Sequence, residues 1–70
     1  MAEIRAEMVA NVWRVLVSEG DHVADGDTLV ILESMKMEIP ILAETSGVVS
    51  KLHVALGDVV QEDERIAVID

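Results

Sequence analysis

IRAEMVANVWRVLVSEGDHVADGDTLVILE, Ile4 to Glu33, returns in outline 37 positions later as ILAETSGVVSKLHVALGDVVQEDERIAVID, Ile41 to Asp70. Eight of the thirty aligned positions are identical: Ile4/Ile41, Ala6/Ala43, Glu7/Glu44, Val12/Val49, Val17/Val54, Gly20/Gly57, Asp21/Asp58 and Val23/Val60. Arg14/Lys51, Asp25/Glu62, Leu29/Ile66, Ile31/Val68 and Glu33/Asp70 keep their chemistry. Composition alone does not place a Gly-Asp-x-Val pair in register, so the duplication is real. Two copies are too few for a solenoid, which needs about three to bury a continuous core. The pattern therefore predicts two half-repeats, 4–33 and 41–70, closing over one shared core about a pseudo-twofold axis within a single domain spanning residues 1–70.

Each half reads as short strands broken by turns. Val12 to Val17 alternates Val12, Arg14 and Leu16 against Trp13, Val15 and Val17; its mate, Val49 to Val54, alternates Val49, Lys51 and His53 against Ser50, Leu52 and Val54. The second pattern is the more cleanly apolar on one side, which predicts Val15 and Val17 inward as well. Leu29 to Leu32 and Ile66 to Ile69 are short apolar strands. Gly20, Gly26 and Gly57 mark turns where glycine supplies a positive φ. The mate of Gly26 is Asp63, which tolerates that region less cheaply. No stretch makes a convincing helix; Val59 to Arg65 is too short. The expectation is a small all-β sandwich or barrel-like sandwich, with the one proline, Pro40, at a strand edge or bend.

Size and charge narrow the function. Seventy residues bury only about 60% of the extended chain's surface, here with 51% hydrophobic residues and one aromatic. There is no cysteine, hence no disulfide framework or thiolate chemistry. A formal net charge of -9 argues against nucleic acid and anionic lipid as partners. No apolar run approaches the roughly 20 residues of a membrane span, and no signal-peptide pattern opens the chain. Without a linker-like segment, the expectation is a free-standing, monomeric, cytoplasmic protein or an untethered subunit.

Between the halves lies SMKMEIP, Ser34 to Pro40, so the duplication isolates a junction whose centre is a lysine between two methionines. Here the chain resembles the biotinyl/lipoyl attachment domain family. Glu33-Ser34-Met35-Lys36-Met37 is similar to the biotin attachment signature, and Glu19-Gly20-Asp21, Ser46-Gly47 and Gly57-Asp58 add further matches. The resemblance covers essentially the whole chain and is greatest to short, stand-alone biotinylated proteins of actinobacteria. It implies a flattened barrel, or barrel-sandwich hybrid, of two four-stranded sheets with a quasi-twofold internal repeat. Lys36 would then stand at a tight hairpin and carry covalent biotin, joined by biotin protein ligase. The implied task is carrying carboxylate between the biotin carboxylase and carboxyltransferase of an acyl-CoA carboxylase; a lipoyl carrier or a biotin-storage module are the alternatives. The chain itself would be no enzyme.

The residue types suit presentation better than catalysis. An ordinary lysine is protonated near neutrality, so little of it is nucleophilic, and nearby Glu33 and Glu38 would favour the charged form. Activation therefore belongs to the ligase. A two-residue turn between strands in fixed register sets where the amine points. Met35 and Met37 read as soft filler around the turn or, within the resemblance, as the mark that separates biotinylation from lipoylation. Lipoyl domains usually carry an Asp-Lys-Ala pattern there. Ser34 stands where many biotinyl domains have Ala. The connection Ser18 to Thr28 matches Ala55 to Arg65 without insertion, so the protruding thumb of some bacterial carriers is missing and biotin is expected to be less restrained.

Other tempting residues carry less. His22 on a turn and His53 on a solvated strand face have no partner at a catalytic or metal-binding spacing. Asp25/Asp27 and Glu62/Asp63/Glu64 lack the ligand alternation of a calcium loop, and no metal site is expected. Gly20 and Gly57 lack the strand–glycine–helix context of a nucleotide site. Trp13, opposite Ser50 in the repeat, fits either a packed or a partly exposed position.

Overall fold

The Gly-Asp turns decide where the chain reverses. In the computed structural model, which describes residues 1–70, Gly20 and Gly57 have φ of 94° and 91°. Asp21 and Asp58 close these turns alike: each Oδ2 accepts a 2.8 Å hydrogen bond, from the Ser18 and Ala55 N–H respectively. The next pair of turns repeats the device. Gly26 has φ 93° and its mate Asp63 has φ 72°; Asp27 Oδ2 accepts from the Ala24 N–H at 2.8 Å, Glu64 Oε1 from the Gln61 N–H at 3.0 Å. Side-chain acceptors at these offsets satisfy backbone donors that no ladder reaches.

Between the turns run eight strands and no helix: β1 (Ala2–Arg5), β2 (Ala10–Val15), β3 (His22–Val23), β4 (Thr28–Ser34), β5 (Met37–Leu42), β6 (Gly47–Leu52), β7 (Val59–Val60) and β8 (Arg65–Ile69). They pair antiparallel into two four-stranded sheets, ordered β1-β8-β6-β3 and β5-β4-β2-β7. A shift of 37 residues turns one order into the other, strand for strand, which is the quasi-twofold repeat expressed as topology. Loop bonds follow it too: Gly20 N–H to Val49 O matches Gly57 N–H to Val12 O, and Gly26 N–H to Ala43 O matches Asp63 N–H to Ala6 O. Edge strands β1, β3, β5 and β7 leave the sheets open, so the molecule is a sandwich and not a closed barrel. Pro40 lies in edge strand β5, where its missing donor costs no ladder bond.

The core is wholly apolar. Leu29, Val30 and Leu32 of one half meet Val49, Ile66 and Ile69 of the other, all at most 1% exposed, and no polar side chain is buried. Truncating one of the larger ones, such as Leu29→Ala, costs about 2–5 kcal/mol.

Two expectations about facing need correction. Strict alternation puts Val12 and Val49 on the outward side of their strands, yet both are buried, at 2% and 0%. A register shift lies between Val12 and Arg14 against β4, and another between Val49 and Lys51 against β8. These bulges, at the mates Trp13 and Ser50, reset the alternation: Val12 and Val49 point inward before the bulge, while Val15, Val17 and Leu52 pack against the core beyond it. Leu16 is left exposed. His22, expected on a turn, opens strand β3 and is exposed.

Candidate functional site

The junction folds into the hairpin between β4 and β5, the most extensively paired in the molecule. Six residue pairs run from Thr28 opposite Leu42 to Glu33 opposite Glu38 and Ser34 opposite Met37. Only Met35 and Lys36 remain for the turn. Their φ values, 52° and 64°, are both positive, as a two-residue type I′ turn requires. Asn-Gly would sit there most comfortably; a non-glycine residue in this region costs about 1 kcal/mol. The ladder behind the turn holds two residues in a conformation they do not favour, so turn stability does not explain their presence.

This geometry leaves the amine in water. Met35 is 91% exposed and Met37 65%, and Lys36 between them is exposed as well. Lys36 accepts no ion-pair partner: the two salt bridges of the protein both end on Glu3. It makes no side-chain hydrogen bond either. Glu33 and Glu38 face each other across the ladder one pair behind the turn, a like-charge pair that mildly disfavours the hairpin. No histidine adjoins the tip; His22 lies in β3 of the other sheet and His53 follows β6.

Neither surface hollow touches the turn. A wide one of about 530 Å³ is walled by Glu3, Glu7, Glu44, Glu62 and Asp63 with Arg5, and a smaller one of about 200 Å³ lies along Ile39 to Leu42 beside Ile4. No cluster of His, Cys, Asp and Glu is arranged to hold a metal ion. The turn glycines Gly20, Gly26 and Gly57 act on the chain path, and none lies in the β4–β5 hairpin. What the tip offers chemically is one primary amine on a flexible stem, fixed in position by its Cα, unshielded and flanked by two soft apolar side chains. That suits a group attached through an amide and handled by other proteins.

Sequence reasoning passed over the residues beside this tip. Asn11 of β2 lies opposite Glu33, so Val9 leads toward the turn, with Met8 in the bend before it, and Val59 of β7 lies opposite Asn11 on the other side. All three are exposed. The available signal was the repeat alignment itself, in which their mates are Ser46, Thr45 and His22.

Comparison with known proteins agrees with the geometry. Residues 2–69 match the family model described as biotin-requiring enzyme, Biotin_lipoyl. The biotinylated protein TB7.3 homolog of Mycobacterium leprae is 61% identical over 70 residues, covering 99% of both chains. Among solved structures, urea carboxylase of Kluyveromyces lactis contains a segment superposing with a TM-score of 0.91 at 35% identity; it covers 99% of this chain and 6% of that one. A single-chain, multi-domain long-chain acyl-CoA carboxylase gives 0.88 at 29% identity, covering 94% of this chain and 7% of that one.

Proposed function

This chain belongs to the biotin/lipoyl attachment family, a family of carriers, and from that premise we propose that Lys36 is its biotinylation site. The observation that carries the proposal is the tip itself: one unpaired amine on a two-residue turn of positive φ, between two exposed methionines. Lys36 would hold biotin through an amide at Nζ, and the bound group would supply an acceptor and donor of carboxylate.

The protein's own share is positioning. Strands β4 and β5 fix the Cα of Lys36, while the lysine stem leaves the amine free to enter another active site. No base at the tip can take the ammonium proton, because Glu33 and Glu38 make no ion pair with Lys36 and no histidine adjoins it. Proton removal and activation of the carboxyl group thus fall to biotin protein ligase. The domain then serves a biotin carboxylase and a carboxyltransferase in turn, in the cytoplasm, where ATP drives the first. An acyl-CoA carboxylase is the proposed setting, supported by the likeness to a long-chain acyl-CoA carboxylase.

The test is intact mass and avidin capture after incubation with ligase, biotin and ATP. Wild type should gain one biotinyl increment and be captured, and Lys36→Ala should gain none. Equal capture of the two, an unmodified wild type, or a lipoyl increment on protein taken from cells would each sink the reading. Co-purification of the biotinylated form with carboxylase subunits tests the setting separately.

A further inference from the structure

The quasi-twofold repeat supplies an internal control for surface residues. Positions related by the 37-residue shift occupy equivalent places in the fold, so whatever the fold alone demands should appear in both halves. Beside the Lys36 tip it does not. Met8, Val9, Trp13, Leu56 and Val59 are all between 42% and 69% exposed. Their mates are Thr45, Ser46, Ser50, Glu19 and His22, every one polar. The fold evidently accepts polar side chains at all five positions. Asn11, between Val9 and Trp13, runs the other way, its mate being Val48, and exposed Leu16 and Leu42, farther from the tip, also have polar mates, His53 and Arg5.

These five residues are also neighbours. Val59 pairs opposite Asn11, which pairs opposite Glu33, one step from the turn. Gly57 N–H donates to Val12 O at 3.0 Å, which brings Leu56 beside Trp13. The Arg14 guanidinium lies 5.7 Å from the Trp13 ring centre, extending the ring's flat surface. The strip runs from Met8 and Val9 at the tip, along β2 and β7 of the β5-β4-β2-β7 sheet. Its flanks carry Glu33, Glu38 and Asp58, within a chain of net charge -9.

We propose that this strip is the docking surface for biotin protein ligase, which would meet it with an apolar patch rimmed by basic side chains. The proposal rests on the reading of Lys36 as the biotinylation site. Charge complementarity sets the rim: an acidic carrier steers and orients a basic partner. Reach selects the ligase among proteins that visit the tip. An enzyme acting on the bare amine has only the lysine stem to span the gap, so its surface must close over the sheet beside the turn. A protein served through a longer attached arm need not. Partly exposed apolar side chains around an aromatic anchor are the composition of an interface centre.

Each residue has a built-in replacement, its mate. Leu56→Glu with Val59→His, and separately Met8→Thr with Val9→Ser, should raise the ligase KM about tenfold, with kcat changed less than about twofold. Leu16→His makes the same kind of exchange on an exposed residue at the far end of β2, and should leave KM as it was. A wild type that is never modified sinks the Lys36 reading and this proposal with it. A normally modified wild type with unchanged KM in both double variants, or an equal rise in Leu16→His, overturns this proposal alone. Should a variant not fold, wild type decides by methionine methyl NMR with added ligase. Met8 should respond together with Met35 and Met37 while Met1 stays still; a still Met8 overturns the proposal.

Discussion

The molecule has two ends built to one plan, and only one of them is joined. At the hairpin end Leu32 lies opposite Ile39 and Ile31 opposite Pro40; at the terminal end Ile69 lies opposite Ala2 and Val68 opposite Glu3, the same pairs displaced by 37 residues. Even the irregularities correspond, a shift between Thr28 and Val30 in β4 matching one between Ile4 and Arg5 in the β1–β8 pair. The terminal end holds this register without a covalent turn, so the ladder does not depend on Met35 and Lys36. That frees the turn's sequence for another use. The largest expected effect follows: exchanging the two residues, Met35→Lys with Lys36→Met, should abolish biotinylation while the unfolding free energy from urea titration moves by less than about 0.5 kcal/mol. Biotinylation at the displaced lysine, read by mass mapping, would break the claim that the register aims the amine.

The terminal end should be the more fragile of the two. There Gly47 of β6 packs so closely on the last residue that an added Cβ would overlap the Asp70 carbonyl oxygen, while Asp70 and Val48 exchange two 2.8 Å backbone bonds. Its mate, Ala10, carries a methyl group and is buried without difficulty. Gly47→Ala should therefore cost about 1–3 kcal/mol by forcing backbone apart, seen as a lower urea midpoint with Lys36 still biotinylated. A neutral Gly47→Ala would mean the terminal end yields easily, and the contrast with the hairpin end would weaken.

Part of this architecture is legible in the amino-acid sequence and part is not. The duplication, the Gly20 and Gly57 turns and the central placing of Lys36 follow from identities and spacing, and the all-β class from short apolar runs. The bulges at Trp13 and Ser50 do not, because one extra residue reverses every later facing without changing composition. Strict alternation therefore puts Val12 and Val49 on the wrong side. The exposed strip beside the tip was hidden differently: a Val or Leu in an apolar pattern reads as core until pairing shows which face it occupies.

The second pair of turns gives a finer comparison. Gly26 and Asp63 hold the same hydrogen bond to Ala43 O and Ala6 O at 2.9 and 2.7 Å, with φ of 93° and 72°. Glycine adopts this region freely, and aspartate pays about 1 kcal/mol. Gly26→Asp should then destabilise by about 1 kcal/mol. Asp63→Gly should gain a similar amount, both effects being trimmed because glycine loosens the unfolded chain. Thermal melts of the two single variants and the pair check it, and opposite signs are required if the turns are equivalent.

The smallest effect separates the two edge strands. Pro40 on β5 and Glu3 on β1 are mates, and they guard their edges by different means: one removes a donor, the other adds charge. Glu3 Oε1 accepts from Arg5 Nη2 at 2.9 Å and its Oε2 lies 3.4 Å from Arg65 Nε. The Arg5 hydrogen bond, with the charges of Arg5, Arg65 and His53 behind it, holds the Glu3 carboxyl below its ordinary pKa of 4.5. A carboxyl depressed on folding stabilises the fold above its unfolded pKa and loses that contribution as pH falls through the folded value. Stability near the terminal end should therefore decline slightly below about pH 4.5, and Glu3→Gln should flatten that part of the profile. Because the pair is exposed and screened by salt, 1 M NaCl should erase the difference between wild type and variant. A pH slope that survives both the substitution and the salt would overturn the assignment of that sensitivity to Glu3.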